Sequence, residues 1–165
     1  MQTTLILGIG NTLLKDEGIG VHVLNFLRHN HPQDENVTFM DGGTLSLTLA
    51  ADIEEHDQLI VIDAARLGGQ AGAVHCMEAE AMDDFLGASR RSVHEVGLLD
   101  LIDIARLTGS LPVRRALVGI QPQIMDWGEE PSPAVRAAIP AAARHVLELL
   151  ERWHHSTSDL NGVLP

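Results

Sequence analysis

The segment Leu59-Ile-Val-Ile-Asp63 constrains this chain more than any other. Its apolar residues follow one another without alternating with polar ones. A strand with one face in water alternates, whereas an unbroken run is buried on both faces, as in a parallel sheet covered by helices. The run ends on a carboxylate, so the strand carries an ionisable group to its carboxyl end. Four more short segments read as strands: Leu5–Ile9 closed by Gly10, Val37–Met40 closed by Asp41-Gly-Gly, Gly72–Met77, and Arg115–Ile120 closed by Gln121-Pro122.

Helical patterns separate them. Ile19, Val23, Leu24 and Leu27 give one apolar stripe between Gly18 and His29, Thr44 is placed to cap a helix reaching Glu55, and Leu98–Leu107 is stopped by Gly109. Ser132 and Pro133 suit the cap and first position of a last helix, whose stripe runs from Val135 to Trp153. Pro140 lacks an N–H and should kink or split that helix. Alternating strands and helices predict an α/β fold, with a mostly parallel sheet between helix layers. The stripe stops at Trp153, so a single domain is expected over residues 1–154, with residues 155–165 as a flexible tail.

Composition removes several functions. With 165 residues the chain suits one domain of ordinary size. Eleven basic against 23 acidic residues leave a net charge of −12, which disfavours nucleic acid and anionic membrane. One cysteine forms no internal disulfide, so a reducing, cytoplasmic setting is expected. No apolar run approaches the ~20 residues of a membrane span. Met1-Gln-Thr-Thr-Leu shows no basic leader pattern.

Ligands of open α/β sheets bind beyond the carboxyl ends of the strands. There the sequence places Gly8-Ile-Gly-Asn-Thr-Leu-Leu-Lys-Asp-Glu-Gly-Ile-Gly20, Asp41-Gly-Gly-Thr44 and Asp63, and Ser92-Val-His-Glu-Val-Gly-Leu98 precedes the fifth strand. Glu17, Asp63 and His94 can converge at one edge. Each has an ordinary reading in isolation: Glu17 offsetting a helix dipole, Asp63 capping a turn, His94 hydrogen-bonded in a loop. Together two carboxylates and an imidazole make an open first shell for a borderline divalent metal.

Competing motifs are incomplete. Gly8-x-Gly10 opens like a dinucleotide fingerprint, but Leu13 stands at its third glycine. His94-Glu95-x-x-Leu98 is half a zincin motif, without the second histidine. Ser89 and Ser92 lack a nucleophile elbow. Cys76 reads as a core residue, and the other eight histidines mostly as surface.

Taken in order, Gly8-x-Gly-Asn11, Asp16-Glu-Gly-x-Gly20, Asp41-Gly-Gly-Thr44, Ile62-Asp-Ala64, His94-Glu-Val-Gly-Leu98 and Gly119-Ile-Gln-Pro122 resemble the [NiFe] hydrogenase maturation endopeptidases, from about Leu5 to Trp153. The resemblance implies a three-layer αβα sandwich around a twisted five-stranded sheet. It implies an endopeptidase that removes the C-terminal extension of the nickel-loaded hydrogenase large-subunit precursor. By motif Glu17, Asp63 and His94 become the metal-contacting residues. Asp41 matches a further acidic position, and Asp63, Glu17 and Asp41 are the candidates for a catalytic base. The nickel is expected to arrive on the substrate, with zinc or cadmium able to replace it in the isolated protein. A metallochaperone using the same ligands and a nucleotide-binding module are the alternatives.

Overall fold

The structure, a computed structural model, describes residues 2–88 and 93–160, and their side chains except those of 93–96 and 157–160. Five strands form one sheet: β1 (Thr4–Ile9), β2 (Val37–Gly43), β3 (Gln58–Ala64), β4 (Val74–Glu78) and β5 (Arg114–Ile120), in the order β2-β1-β3-β5-β4. β2, β1, β3 and β5 are parallel, and β4 lies antiparallel at the edge beside β5. The helices are α1 (Ile19–Asn30), α2 (Leu49–Glu54), α3 (Glu80–Ala88), α4 (Val93–Leu107), α5 (Pro133–Ala137) and α6 (Ile139–Leu160).

The unbroken apolar run of β3 is explained by its two faces. Ile60 and Ile62 enter a cluster with α1, α5 and α6, while Leu59 and Val61 enter a second one with α2, α3 and α4. All four are fully withdrawn from water. Each contributes roughly 1.5–3 kcal/mol of apolar burial. Helices on both faces of a mostly parallel sheet of five strands make the expected αβα architecture.

Several elements differ from the pattern read along the chain. Thr44 caps no helix: α2 begins only at Leu49, because Gly43 turns the chain at φ +48° and the Ser46 hydroxyl accepts the Thr48 N–H. Helix α3 was not expected at all; its apolar signal is two residues, Met82 and Leu86, one turn apart and buried. Helix α4 starts at Val93 rather than Leu98. Pro140 does divide the last helical segment, with α5 ending at Ala137 and α6 beginning at Ile139. Beyond Trp153 the apolar stripe ends but the helix continues to Leu160, with the Ser156 hydroxyl donating to the Arg152 carbonyl.

The topology fixes where a ligand can approach. From β1 the chain passes through α1 to β2, then through α2 on the opposite face to β3, on the other side of β1. The winding reverses between β1 and β3, and a crevice opens at their carboxyl ends.

Candidate active site

Two glycines seat the segment carrying Glu17 over that crevice. Gly10 leaves β1 at φ +133°, and a Cβ there would lie 1.9 Å from the Glu17 carbonyl oxygen. At Gly20, in the first turn of α1, a Cβ would lie 2.1 Å from the Ile62 carbonyl oxygen and 2.4 Å from that of Ile9. Only glycine lets these backbones touch. The 3-10 turn Lys15–Gly18 therefore rests against the ends of β1 and β3, in contact with β3. Glu17 is 6% exposed and Asp63, the next-to-last residue of β3, is 4% exposed. The space above the glycines is filled by protein backbone. A pyrophosphate would need that space, so the dinucleotide reading loses its basis.

Asp16 has a separate task. Its carboxylate is fully buried and accepts four hydrogen bonds: from the Gln123 N–H at 2.9 Å, the Ile124 N–H at 2.8 Å, the Ser132 N–H at 2.6 Å and the Ser132 hydroxyl at 2.7 Å. Burial alone would raise its pKa, but these hydrogen bonds outweigh that and hold it below the usual Asp value. Ser132 stands at the N-cap of α5 as expected, yet its hydroxyl serves Asp16 and makes no cap hydrogen bond. Asp16 thus ties the Glu17 turn to the connection between β5 and α5. Nothing in the spacing of Asp16 pointed to this; its partners are mostly backbone amides more than a hundred residues away.

The other two expected residues are Asp41 and His94. Asp41 is exposed, and its Oδ1 accepts the Gly43 N–H at 2.8 Å. Asp41 and Ile62 flank Gly8 in register, so Asp41 stands two strands from Asp63. It shares the α1 and α6 face with Ile62, whereas alternation turns Asp63 to the other face. His94 lies in the first turn of α4, and its side chain is outside the described residues. Helix α4 packs Leu98, Leu101 and Ile102 on the Asp63 face of the sheet. A Cβ on Gly97 would lie 3.2 Å from Leu45 Cδ1, which sets the start of α4 beside the connection leaving β2. Among the described residues, no three His, Cys, Asp or Glu side chains stand together as a metal-holding group. Ser89 and Ser92 lie outside the described residues.

Cys76 is half-buried on the edge strand β4, and burial, with Glu78 nearby, pushes its thiol up to about 11. At neutral pH it is a protonated thiol, which is a weak nucleophile. His22 departs from the expected surface placement: it is half-buried in α1, and its buried Nε2 has no hydrogen-bond partner. Desolvation lowers its pKa, with Glu130 opposing and Arg136 assisting.

Comparison with known proteins agrees with this geometry. A family model described as HycI, hydrogenase maturation protease, matches residues 21–149, a range that holds Asp41, Asp63 and His94. The hydrogenase expression/formation protein HupD of Rhizobium leguminosarum bv. viciae is 38% identical over 150 residues, covering 90% of this chain and 74% of HupD. The hydrogenase 2 maturation protease of Escherichia coli K12 is 33% identical over 146 residues, 88% of this chain and 89% of that protein. Among solved structures, the E. coli hydrogenase maturating endopeptidase HybD superposes with a TM-score of 0.86 at 32% identity, covering 91% of this chain and 93% of HybD. With a closely superposing fold, relatives more than 30% identical over most of the chain and a family match over most of its residues, this protein belongs to the hydrogenase maturation proteases.

Proposed function

We propose that this protein is the endopeptidase that removes the C-terminal extension of a nickel-loaded [NiFe] hydrogenase large-subunit precursor. The observation that carries the reading is the pair of buried carboxylates, Glu17 and Asp63, at the β1/β3 switch point of a maturation-protease fold. Oxygen donors in that number, joined by the His94 imidazole, suit a borderline cation modestly and leave room for thiolates. The nickel is part of the substrate, held on the precursor's cysteines. Glu17, Asp63 and His94 complete its shell, and that contact sets the scissile peptide at the crevice. Zinc or cadmium would occupy the same donors in the isolated protein.

In the cleavage a water oxygen bonds to the scissile carbonyl carbon, the C–N bond breaks, and the water's proton passes through a carboxylate to the departing amine. Asp63 and Glu17 are the candidates for that base. Asp41 is the third candidate, in a supporting role.

The test weighs the product after incubation with nickel-loaded and nickel-free precursor. The expected result is loss of the extension from the loaded precursor alone, and none with Asp63→Asn or His94→Ala. No mass loss with the wild type, or equal cleavage by either variant, overturns the proposal. Equal cleavage of nickel-free precursor overturns the role of nickel.

A further inference from the structure

Five of the seven large hydrophobic side chains exposed among the described residues stand at the carboxyl end of the sheet. Four of them form one group on two neighbouring segments: Leu13 at 49% exposure, Ile124 at 39%, Met125 at 47% and Trp127 at 75%. Single exposed leucines are commonplace, but a cluster containing an exposed tryptophan is not.

The two segments are locked side by side. Gly128 N–H donates to the Leu13 carbonyl at 2.9 Å, Lys15 N–H to the Gly128 carbonyl at 2.7 Å, and Asp16 N–H to the Ile124 carbonyl at 3.1 Å. Leu14 and Gly128 pair as an isolated parallel bridge. Beneath them the Asp16 carboxylate holds the Gln123 and Ile124 amides. A buried carboxylate with four donors is a rigid support, and it presents apolar side chains to water instead of folding them into the core. The residue after Asp16 is Glu17, so the platform and the candidate active site share one turn.

The geometry points to this platform as the docking surface for an apolar patch on the folded large-subunit precursor, beside the crevice that receives its C-terminal segment. The inference rests on the proposed function. A rigid apolar surface around a tryptophan is the kind of site where a few side chains carry most of the affinity between proteins. Apolar side chains this exposed suit a protein surface rather than a small molecule. Continuity with the Glu17 turn favours the substrate over a second copy of this chain.

Trp127→Ala and Met125→Asp are the variants, with Leu107→Ala, an exposed side chain at the end of α4, as control. Binding and steady-state cleavage of nickel-loaded precursor are measured for each, with circular dichroism to verify folding. The expected result is at least a tenfold rise in Kd and KM for both platform variants, with the loss falling on KM rather than kcat, and no change for Leu107→Ala. Wild-type cleavage with unchanged Kd and KM in both platform variants overturns the platform alone. Absence of wild-type cleavage overturns the functional reading and the platform with it. Sedimentation that shows a wild-type dimer lost in Trp127→Ala, with KM unchanged, assigns the surface to self-association and overturns substrate docking.

Discussion

Asp16 and Asp83 are both largely withdrawn from water, but opposite means compensate them. At the carboxyl end of the sheet Asp16 is satisfied by three backbone N–H groups and a serine hydroxyl, all neutral. Near the start of β5, Asp83 of α3 takes Arg115 in a bidentate pair at 2.9 and 2.6 Å and Arg106 at 3.0 Å. Two arginines more than cancel the charge of Asp83. Neutral dipoles stabilise Asp16 without cancelling its charge, and Glu17 and Asp63 lie close by. A carboxylate that keeps its negative charge beside the Glu17 turn suits a cationic centre. The end that neutralises it is built for stability.

The largest effect expected at the carboxyl end is on chemistry. Asp63→Asn should reduce kcat/KM for nickel-loaded precursor by roughly 10²–10⁴-fold, the usual contribution of a positioned acid or base. Circular dichroism should show an unchanged fold. If cleavage persists at wild-type rate, the end that keeps its charge has no chemical purpose and the contrast with Asp83 loses its meaning.

Asp16→Ala should act on stability. It strands four buried donors, and with unsatisfied groups costing roughly 1–3 kcal/mol each and partly rehydrating, the expected loss is about 3–5 kcal/mol by urea denaturation. Asp16→Asn keeps an acceptor and should lose about half as much. Asp83→Ala should cost less, roughly 2–3 kcal/mol, because the side chains of Arg115 and Asp83 retain 10% and 16% exposure and water can reach the freed guanidinium. Joint replacement of Asp83 by Leu and Arg115 by Met should recover much of that loss, since no charge is then left buried. No such apolar swap exists for Asp16, whose partners are backbone amides.

Both carboxyls sit below their ordinary pKa, Asp16 through hydrogen bonds that overcome burial, Asp83 chiefly through the Arg115 hydrogen bond. A lowered folded-state pKa means the unfolded chain takes up protons first as pH falls. The stability these groups confer is therefore complete above the unfolded Asp value of about 3.9 and is lost as pH falls through the folded values. The urea midpoint should be level from pH 7 to 5 and fall below about pH 4. Asp16→Asn and Asp83→Asn should each flatten that fall. Adding 1 M salt should weaken the Asp83 share more, because only that carboxylate is held by ion pairs.

These contrasts also explain which parts were legible in the sequence. Strand β3 was legible because burial of both faces leaves a mark on every residue from Leu59 to Ile62. The split at Pro140 was legible because a missing N–H is a local property. Glu17 and Asp63 were readable as candidates because they follow strands β1 and β3, whose carboxyl ends flank the reversal of winding. Helix α3 was not, since two buried side chains make too short a period to recognise. The task of Asp16 was hidden because its donors are amides, which every residue but proline carries. Arg115 was hidden inside a strand that reads as apolar, its partner Asp83 lying 32 positions away on the unrecognised helix.

The smallest effect separates surface charge from both buried carboxylates. Arg136 pairs with Glu130 while their side chains remain 55% and 77% exposed. An exposed pair of this kind is worth less than about 1 kcal/mol, so Glu130→Gln should move the urea midpoint only slightly. The pair has a more sensitive reporter in His22. Desolvation lowers the His22 pKa first, Glu130 raises it and Arg136 lowers it. Removing each partner should therefore move an NMR titration of His22 in opposite directions, down for Glu130→Gln and up for Arg136→Met. Shifts of the same sign in both variants would mean that the two substitutions act on His22 by changing its burial, and that charge at this rim is felt no further than the solvent.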